Sequence, residues 1–176
     1  NNIIYFKAYN SLGESNVVKL TYTVYDSPVK PKVSPTALNY ICSGDSLKIT
    51  ASSQFALGYT QRWLPINNSK LTVYVKDSGY YVSESKNKYG CITLSDTIRL
   101  FVKKRPTVSA EFTPSKLAYC AGSVIILKAK GVFADSFGTS LKGPFSTDTS
   151  ITFPAKSGGT FLNVYSKSTN GCISSP

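Results

Sequence analysis

Histidine and methionine are absent from this 176-residue sequence, and acidic residues are scarce: nine Asp and Glu stand against twenty Lys and Arg. Without histidine, the Ser-His-Asp and Cys-His schemes of nucleophilic catalysis have no base. The carboxylates (Glu14, Asp26, Asp45, Asp77, Glu84, Asp96, Glu111, Asp135, Asp148) are far apart in the chain. They form neither the paired signature of glycoside hydrolysis nor an Asp-rich calcium loop. No two cysteines have the C-x-x-C spacing, which together with the missing histidine argues against a zinc site. No catalytic residue, metal ligand or cofactor is therefore expected, and the chain is not expected to be an enzyme. Long apolar runs are also missing. The longest strictly aliphatic one, Val124 to Leu127, falls far short of the roughly 20 residues that span a bilayer, so no membrane-spanning segment is expected. No stretch has apolar residues at helical spacing.

What is present is a repeat. Cys42-Ser43-Gly44-Asp45-Ser46-Leu47-Lys48-Ile49 recurs loosely as Cys120-Ala121-Gly122-Ser123-Val124-Ile125-Ile126-Leu127. Each copy is followed by a Gly-Cys pair, Gly90-Cys91 and Gly171-Cys172. A period of about eighty residues is too long for a solenoid and suits tandem small β domains. Twelve Tyr, nine Phe and many Val, Ile and Thr fit pleated, half-buried surfaces. The class is all-β.

Four cysteines in two matched sets point to an oxidising compartment. Of the three connectivities, pairing within each copy, Cys42–Cys91 and Cys120–Cys172, treats both copies alike and is expected. Closing a loop of about fifty residues would stabilise each module by roughly 4 kcal/mol in the chain-entropy model, which matters where cores are small. The net charge of +11 admits an anionic partner. The favoured reading is a solvated surface, because Lys48, Lys70, Lys76, Lys86, Lys88, Lys128 and Lys130 are scattered over alternating strand positions. Nucleic acid is not expected, since no aromatic-basic signature of the known modules is present.

Along the chain, Ile3 to Tyr9 and Val17 to Tyr25 read as strands joined by the Gly-containing loop Asn10 to Glu14. Residues 1–27 are read as the C-terminal hairpin of a preceding β-sandwich, immunoglobulin-like or fibronectin III-like. A connector rich in proline, Pro28 to Pro35, is expected to be extended and semi-rigid. A first module is expected over 34–104, with strands at Ser46 to Ala51, Tyr59 to Leu64, Leu71 to Val75 and around Tyr81, and a long closing strand at Thr93 to Val102. Lys103-Lys104-Arg105-Pro106 links it to a second module over 107–176. Strands are expected there at Val124 to Ala129, Phe137 to Leu141, Ser150 to Phe153 and Phe161 to Tyr165, with the strand after Cys172 missing. The fold expectation is tandem immunoglobulin-like β-sandwich modules, partial at both ends of a segment cut from a longer polypeptide.

Two features of the first copy look immunoglobulin-like. The lone Trp63 is placed to pack a sandwich centre, and Asp77-Ser78-Gly79-Tyr80-Tyr81 resembles a tyrosine corner. The positions where such a domain has its cysteine pair are Ala51 and Ser83. In the second copy Leu141 aligns with Trp63 and Phe161 with Tyr81. These residues, with Cys42-x-Gly44, Gly90-Cys91 and the Pro-bounded linker, resemble the repetitive immunoglobulin-like modules of large secreted Bacteroidetes surface proteins. The resemblance covers about residues 34 to 176. It implies export to the cell surface, often by type IX secretion, within giant adhesins, including those of gliding motility, or multidomain polysaccharide-degrading enzymes. It also implies candidate O-glycosylation at Asp-Ser/Thr-apolar triplets, here Ser46 and Thr97. Asn67-Asn68-Ser69 is an N-glycosylation sequon, idle in a bacterium.

The expected role is structural: stalk modules of a cell-surface adhesin, clamped by Cys42, Cys91, Cys120 and Cys172 and organised around Trp63 and Tyr81. The alternative is accessory or carbohydrate-binding modules of a secreted polysaccharide-degrading enzyme. Expected partners are neighbouring modules of the same polypeptide, surface polysaccharide and secretion machinery. Lys103, Lys104 and Arg105 are candidate contacts to an anionic polymer, with a charged hinge as the commoner explanation. Tyr59, Tyr80, Tyr89 and Phe133 can stack on sugars or cover sandwich edges, and the second is favoured.

Overall fold

In a computed structural model, residues 1–36, 38–52, 58–116, 118–158 and 162–175 are described. Phe161, the expected counterpart of Tyr81, lies outside them. Among the described residues there are only strands, with no helix long and apolar enough to cross a membrane. The fold is all-β, of sandwich type.

The chain opens with β1 (Asn2–Phe6), β2 (Tyr9–Asn10), β3 (Gly13–Glu14) and β4 (Val18–Tyr22). β1 and β4 are antiparallel, Asn2 opposite Tyr22 and Phe6 opposite Val18. At the tip, the Asn10 side chain accepts the Leu12 amide at 2.8 Å, a local mimic of a backbone turn. All ten residues of β1 and β4 are exposed.

Next come β5 (Val33–Ser34), β6 (Asn39–Cys42), β7 (Leu47–Ala51), β8 (Thr60–Leu64), β9 (Thr72–Val75), β10 (Gly79–Lys86), β11 (Ile92–Leu94) and β12 (Ile98–Lys103). One sheet has the order β5-β7-β9; the other runs β11-β10-β12-β6, with β8 also on β10. The last strands are β13 (Thr107–Thr113), β14 (Val124–Val132), β15 (Ser136–Gly138), β16 (Ser150–Pro154) and β17 (Tyr165–Lys167), paired as β13-β14-β16 and β15-β17.

Two units can be distinguished: Asn1–Leu38 with Lys48–Tyr74 and Tyr80–Arg99, and Asn39–Leu47 with Val75–Gly79 and Leu100–Pro176. In the first, alternation turns Ile49 and Ala51 of β7, Val73 of β9, Trp63 of β8, Tyr81 and Ser83 of β10 and Ile98 of β12 inward, all buried. Trp63 is fully buried. Its indole donates to the Lys70 carbonyl at 3.0 Å, and its amide to the Asn68 carbonyl at 2.7 Å. The Pro-rich connector is docked rather than free. Pro28, Pro31 and Val33 are buried, and β5 pairs with β7 at the sheet edge, where a missing amide proton is tolerated.

The expected single closing strand divides into β11 and β12 at Ser95, Asp96 and Thr97. Ser95 bridges the break: its amide donates to the Ser83 carbonyl at 2.8 Å, while its hydroxyl accepts the Ser83 amide at 2.9 Å. A side-chain oxygen thus replaces one ladder acceptor, which allows the extra residue of a bulge without leaving a buried amide unpaired. Ser83, at the position of an immunoglobulin cysteine, is fully buried and accepts a hydrogen bond from Gln61 at 2.7 Å.

In the second unit, β6 runs parallel to the end of β12, Asn39 opposite Leu100 and Cys42 opposite Lys103. Its core includes Ile125, Leu127, Ala129, Phe137 and Tyr165. Leu141, the sequence counterpart of Trp63, is exposed. The buried aromatics here are Phe137 and Tyr165, because β15 ends at Gly138 and Leu141 falls in the turn beyond it. After Cys172 the chain pairs back: Ile173 bridges Lys167, and Ser174 repeats the serine device, its amide on the Ser166 carbonyl at 2.8 Å and its hydroxyl on the Ser166 amide at 2.9 Å.

Gly131 sits opposite Val108 where β13 and β14 pack closely. A Cβ there would lie 2.5 Å from the Ala134 Cβ and 2.6 Å from the Thr107 carbonyl oxygen. Gly131→Ala is therefore expected to destabilise by about 1–3 kcal/mol through overpacking. Chemical denaturation with the midpoint followed by tryptophan-independent circular dichroism would check it.

Candidate functional site

The repeated motifs are turns that present cysteine. In Cys42-Ser43-Gly44-Asp45 the Asp45 amide bonds the Cys42 carbonyl at 2.9 Å, and Gly44 has φ +93°. Cys120-Ala121-Gly122-Ser123 does the same, with Ser123 to Cys120 at 3.0 Å and Gly122 at φ +83°. Positive φ at the third position is the requirement of a type II turn, which explains the glycine of Cys-x-Gly. The Gly-Cys pairs close hairpins. Gly90 bonds the Asn87 carbonyl at 3.0 Å, and Asn87 bonds the Cys91 carbonyl at 3.0 Å; Gly171, Ser168 and Cys172 repeat this at 2.8 and 2.9 Å. A turn followed by a positive-φ glycine is a hairpin with a bulge.

The disulfide is Cys42–Cys172, with a Cα separation of 5.7 Å. Cys91 and Cys120 are free. The expected pairs within each copy are not formed, and the second copy shows why. The Cys120 turn is held to Ala155 just beyond β16, at the end of the sheet where β13 finishes: Gly122 bonds the Ala155 carbonyl at 2.8 Å, and Thr113 is opposite Ile126. The Cys172 hairpin is held at the start of β13, where the Ser166 hydroxyl bonds the Thr107 carbonyl at 3.3 Å. A strand of that length separates the two by roughly 20 Å, and a disulfide needs Cα atoms within about 7 Å.

Arg105 bonds residues adjoining both cysteines of the bond. Its Nε donates to the Ser43 carbonyl at 2.7 Å, Nη1 to the Ile173 carbonyl at 2.8 Å and Nη2 to the Asp45 carboxylate at 2.5 Å. Its amide reaches the Ser43 hydroxyl at 3.2 Å. The planar guanidinium suits this arrangement, tying the front turn of one copy to the hairpin of the next. This candidate polymer contact is engaged inside the protein. Lys103 places its ammonium 4.1 Å from the Tyr40 ring centroid, and Lys104 lies 5.4 Å from that of Phe133. Arg105→Ala is expected to cost about 1–3 kcal/mol, since it removes the hydrogen bonds of a charged donor to two carbonyls and a carboxylate. Its Tm should fall, whereas Lys104→Ala should leave Tm nearly unchanged.

Among the described residues Glu14 faces Lys7, Asp45 faces Arg105, Glu84 faces Arg62, Asp96 faces Lys30 and Glu111 faces Lys130. The hydrogen bond and charge of Glu84 hold the Arg62 guanidinium above its ordinary pKa. Among the described residues no three of His, Cys, Asp and Glu cluster as metal ligands would.

Of the four candidate sugar-stacking residues, Tyr59 and Tyr89 share a cleft of about 330 Å³ with Tyr25 and Asn87. Tyr89 is already stacked on Tyr25, centroids 3.5 Å apart. Tyr80 carries Arg99 at 5.4 Å from its ring centroid. Ser46 and Thr97 are both exposed. The serine devices at Ser83 and Ser95 and at Ser166 and Ser174 had no distinct signal in the sequence beyond small polar residues at inward strand positions.

No protein-family model matches the chain, and no curated protein matches it. Among solved structures, the chain is similar to the fibronectin(III)-like modules of Clostridium thermocellum CbhA. The TM-score is 0.40 at 13% identity, over 83% of this chain and 90% of that one.

Proposed function

We propose that the chain is a run of structural modules from a large bacterial surface adhesin exported by type IX secretion. In this reading residues 34–104 and 107–176 are consecutive immunoglobulin-like modules, and 1–27 is the last hairpin of another. Their partners are the neighbouring modules, with Ser46 and Thr97 as accessible glycosylation positions. The observation that carries this reading is the Cys42–Cys172 bond, with Arg105 hydrogen-bonded to the neighbours of both cysteines. A disulfide of this kind persists in an oxidising, extracytoplasmic compartment. It joins the two copies of the repeat covalently, which suits a spacer under tension. The engagement of Glu14, Asp45, Glu84, Asp96 and Glu111 with cations points the same way.

The reading as accessory module of a secreted polysaccharide-degrading enzyme is favoured by one feature, the aromatic cleft of Tyr25, Tyr59 and Tyr89. A non-reducing immunoblot of fractionated source cells separates the two. A cell-bound band of several hundred kilodaltons is the result expected of the adhesin. A smaller released band that digests polysaccharide would replace that reading with the alternative.

A further inference from the structure

We infer that Cys91 and Cys120 are halves of two more bridges of the Cys42–Cys172 kind. Cys91 takes the Cys-x-Gly cysteine of the copy before, and Cys120 takes the Gly-Cys cysteine of the copy after. Consecutive copies are then stapled in an overlapping series.

The four cysteines fall into two kinds by the turn that holds them. Cys42 and Cys120 open type II turns, whereas Cys91 and Cys172 follow the hairpin glycine. The one bond formed joins the first kind in the first copy to the second kind in the second copy. Left over are a hairpin cysteine in the first copy and a front-turn cysteine in the second. A periodic series leaves this pair unmatched in any window of two copies.

The surroundings of Cys91 supply independent support. In the second copy, the hairpin rests on the segment that follows β12, through Arg105 to Ile173 and Thr107 to Ser166. In the first copy, the hairpin rests in the same way on the segment that follows β4. The Asn87 side-chain Nδ2 donates to the Asp26 carbonyl at 2.8 Å, the Thr93 hydroxyl to the Pro28 carbonyl at 2.7 Å, and the Cys91 sulfur lies 3.8 Å from the Tyr25 carbonyl oxygen. β4 therefore stands to Cys91 as β12 stands to Cys172. β12 is flanked by β10 and β6, and β6 is the strand that delivers Cys42. β4 is flanked by β1 alone among the described strands, and both strands of that hairpin are exposed throughout. The open edge of β4 is where a parallel strand from the preceding copy would lie and bring its cysteine to Cys91. Cys120, in the same turn as Cys42, is exposed.

Each bridge forms by two exchanges with a disulfide-bearing oxidant, such as a secreted thiol–disulfide oxidoreductase. One cysteine thiolate attacks a sulfur of the oxidant and releases one of its thiolates. The second cysteine thiolate then attacks the mixed disulfide and releases the other. Two electrons and the two thiol protons end on the oxidant, which leaves as a dithiol.

The inference rests on reading the chain as consecutive copies, and it is independent of the adhesin assignment. The test is disulfide mapping of the parent protein from its source, with free thiols alkylated before non-reducing digestion. Expected are the Cys42–Cys172 peptide, a Cys91 peptide joined to an upstream Cys-x-Gly peptide, and a Cys120 peptide joined to a downstream Gly-Cys peptide. Cys91 or Cys120 recovered alkylated, or joined to each other, beside an intact Cys42–Cys172 would overturn the inference alone. All four alkylated would overturn both it and the oxidising compartment of the proposed function. In the full chain, Cys120→Ser should newly expose one downstream Gly-Cys cysteine to alkylation without disturbing Cys42–Cys172. An unchanged alkylation pattern would count against the series.

Discussion

Stretched from its two ends beyond unfolding, the oxidised chain should end about 430–470 Å shorter than the reduced one. The Cys42–Cys172 bond spans a sequence separation of 130, and an extended residue reaches at most about 3.3–3.6 Å. While the bond holds, force passes across it, and everything between Cys42 and Cys172 is shielded from extension. Reduction, or Cys172→Ser, restores the whole length. Single-molecule force spectroscopy with and without reductant reads this directly. Equal contour lengths in the two conditions would mean that the bond does not carry the load. The same bond should raise thermal stability. In the chain-entropy model a closed loop of this size contributes about 5 kcal/mol, so the reduced protein should melt well below the oxidised one.

Trp63→Ala should destabilise the first unit by about 3–5 kcal/mol, the range for deleting a large buried aromatic. Trp63 is fully buried, as are Ile49 and Ile98 of the same unit. For a domain of this size each kcal/mol shifts Tm by roughly 4–8 °C, so the midpoint should fall by well over 10 °C. A drop of only a degree or two would remove Trp63 from the centre of the core. Trp63→Phe separates packing from polarity. It keeps much of the apolar body but leaves the Lys70 carbonyl without the indole donor seen at 3.0 Å, and should cost about 1–3 kcal/mol.

The alternation of Leu47, Ile49 and Ala51, and of Val73 with Val75, was legible because inward and outward residues alternate within a strand whatever surrounds it. The hairpin loop at Asn10 to Glu14 was legible for a similar reason, its glycine and asparagine acting within a few residues. The break between β11 and β12 was not. A bulge depends on which residues of the partner strand must be satisfied, and Ser95 looks like any polar residue until Ser83 is opposite it. Leu141 misled for the opposite reason. Alignment with Trp63 assigned it to a strand, but β15 is only three residues long, and the buried aromatics come instead from Phe137 and Tyr165. The three basic residues Lys103, Lys104 and Arg105 looked alike in sequence. Only contact with Asp45, Ser43 and Ile173 set Arg105 apart.

The cysteines mark the boundary between the two kinds of information. The sequence by itself determined the all-β class, the repeat and the turns that hold each cysteine, because a type II turn or a glycine hairpin is decided within four or five residues. Treating both copies alike suggested bonds within each copy, yet a bond from each copy to the next treats them alike as well. Only the tertiary structure chose between these. Strand direction and length put the front turn and the hairpin of one copy at opposite ends of its sheet, while the parallel pairing of β6 with β12 brings Cys42 to the hairpin of the next.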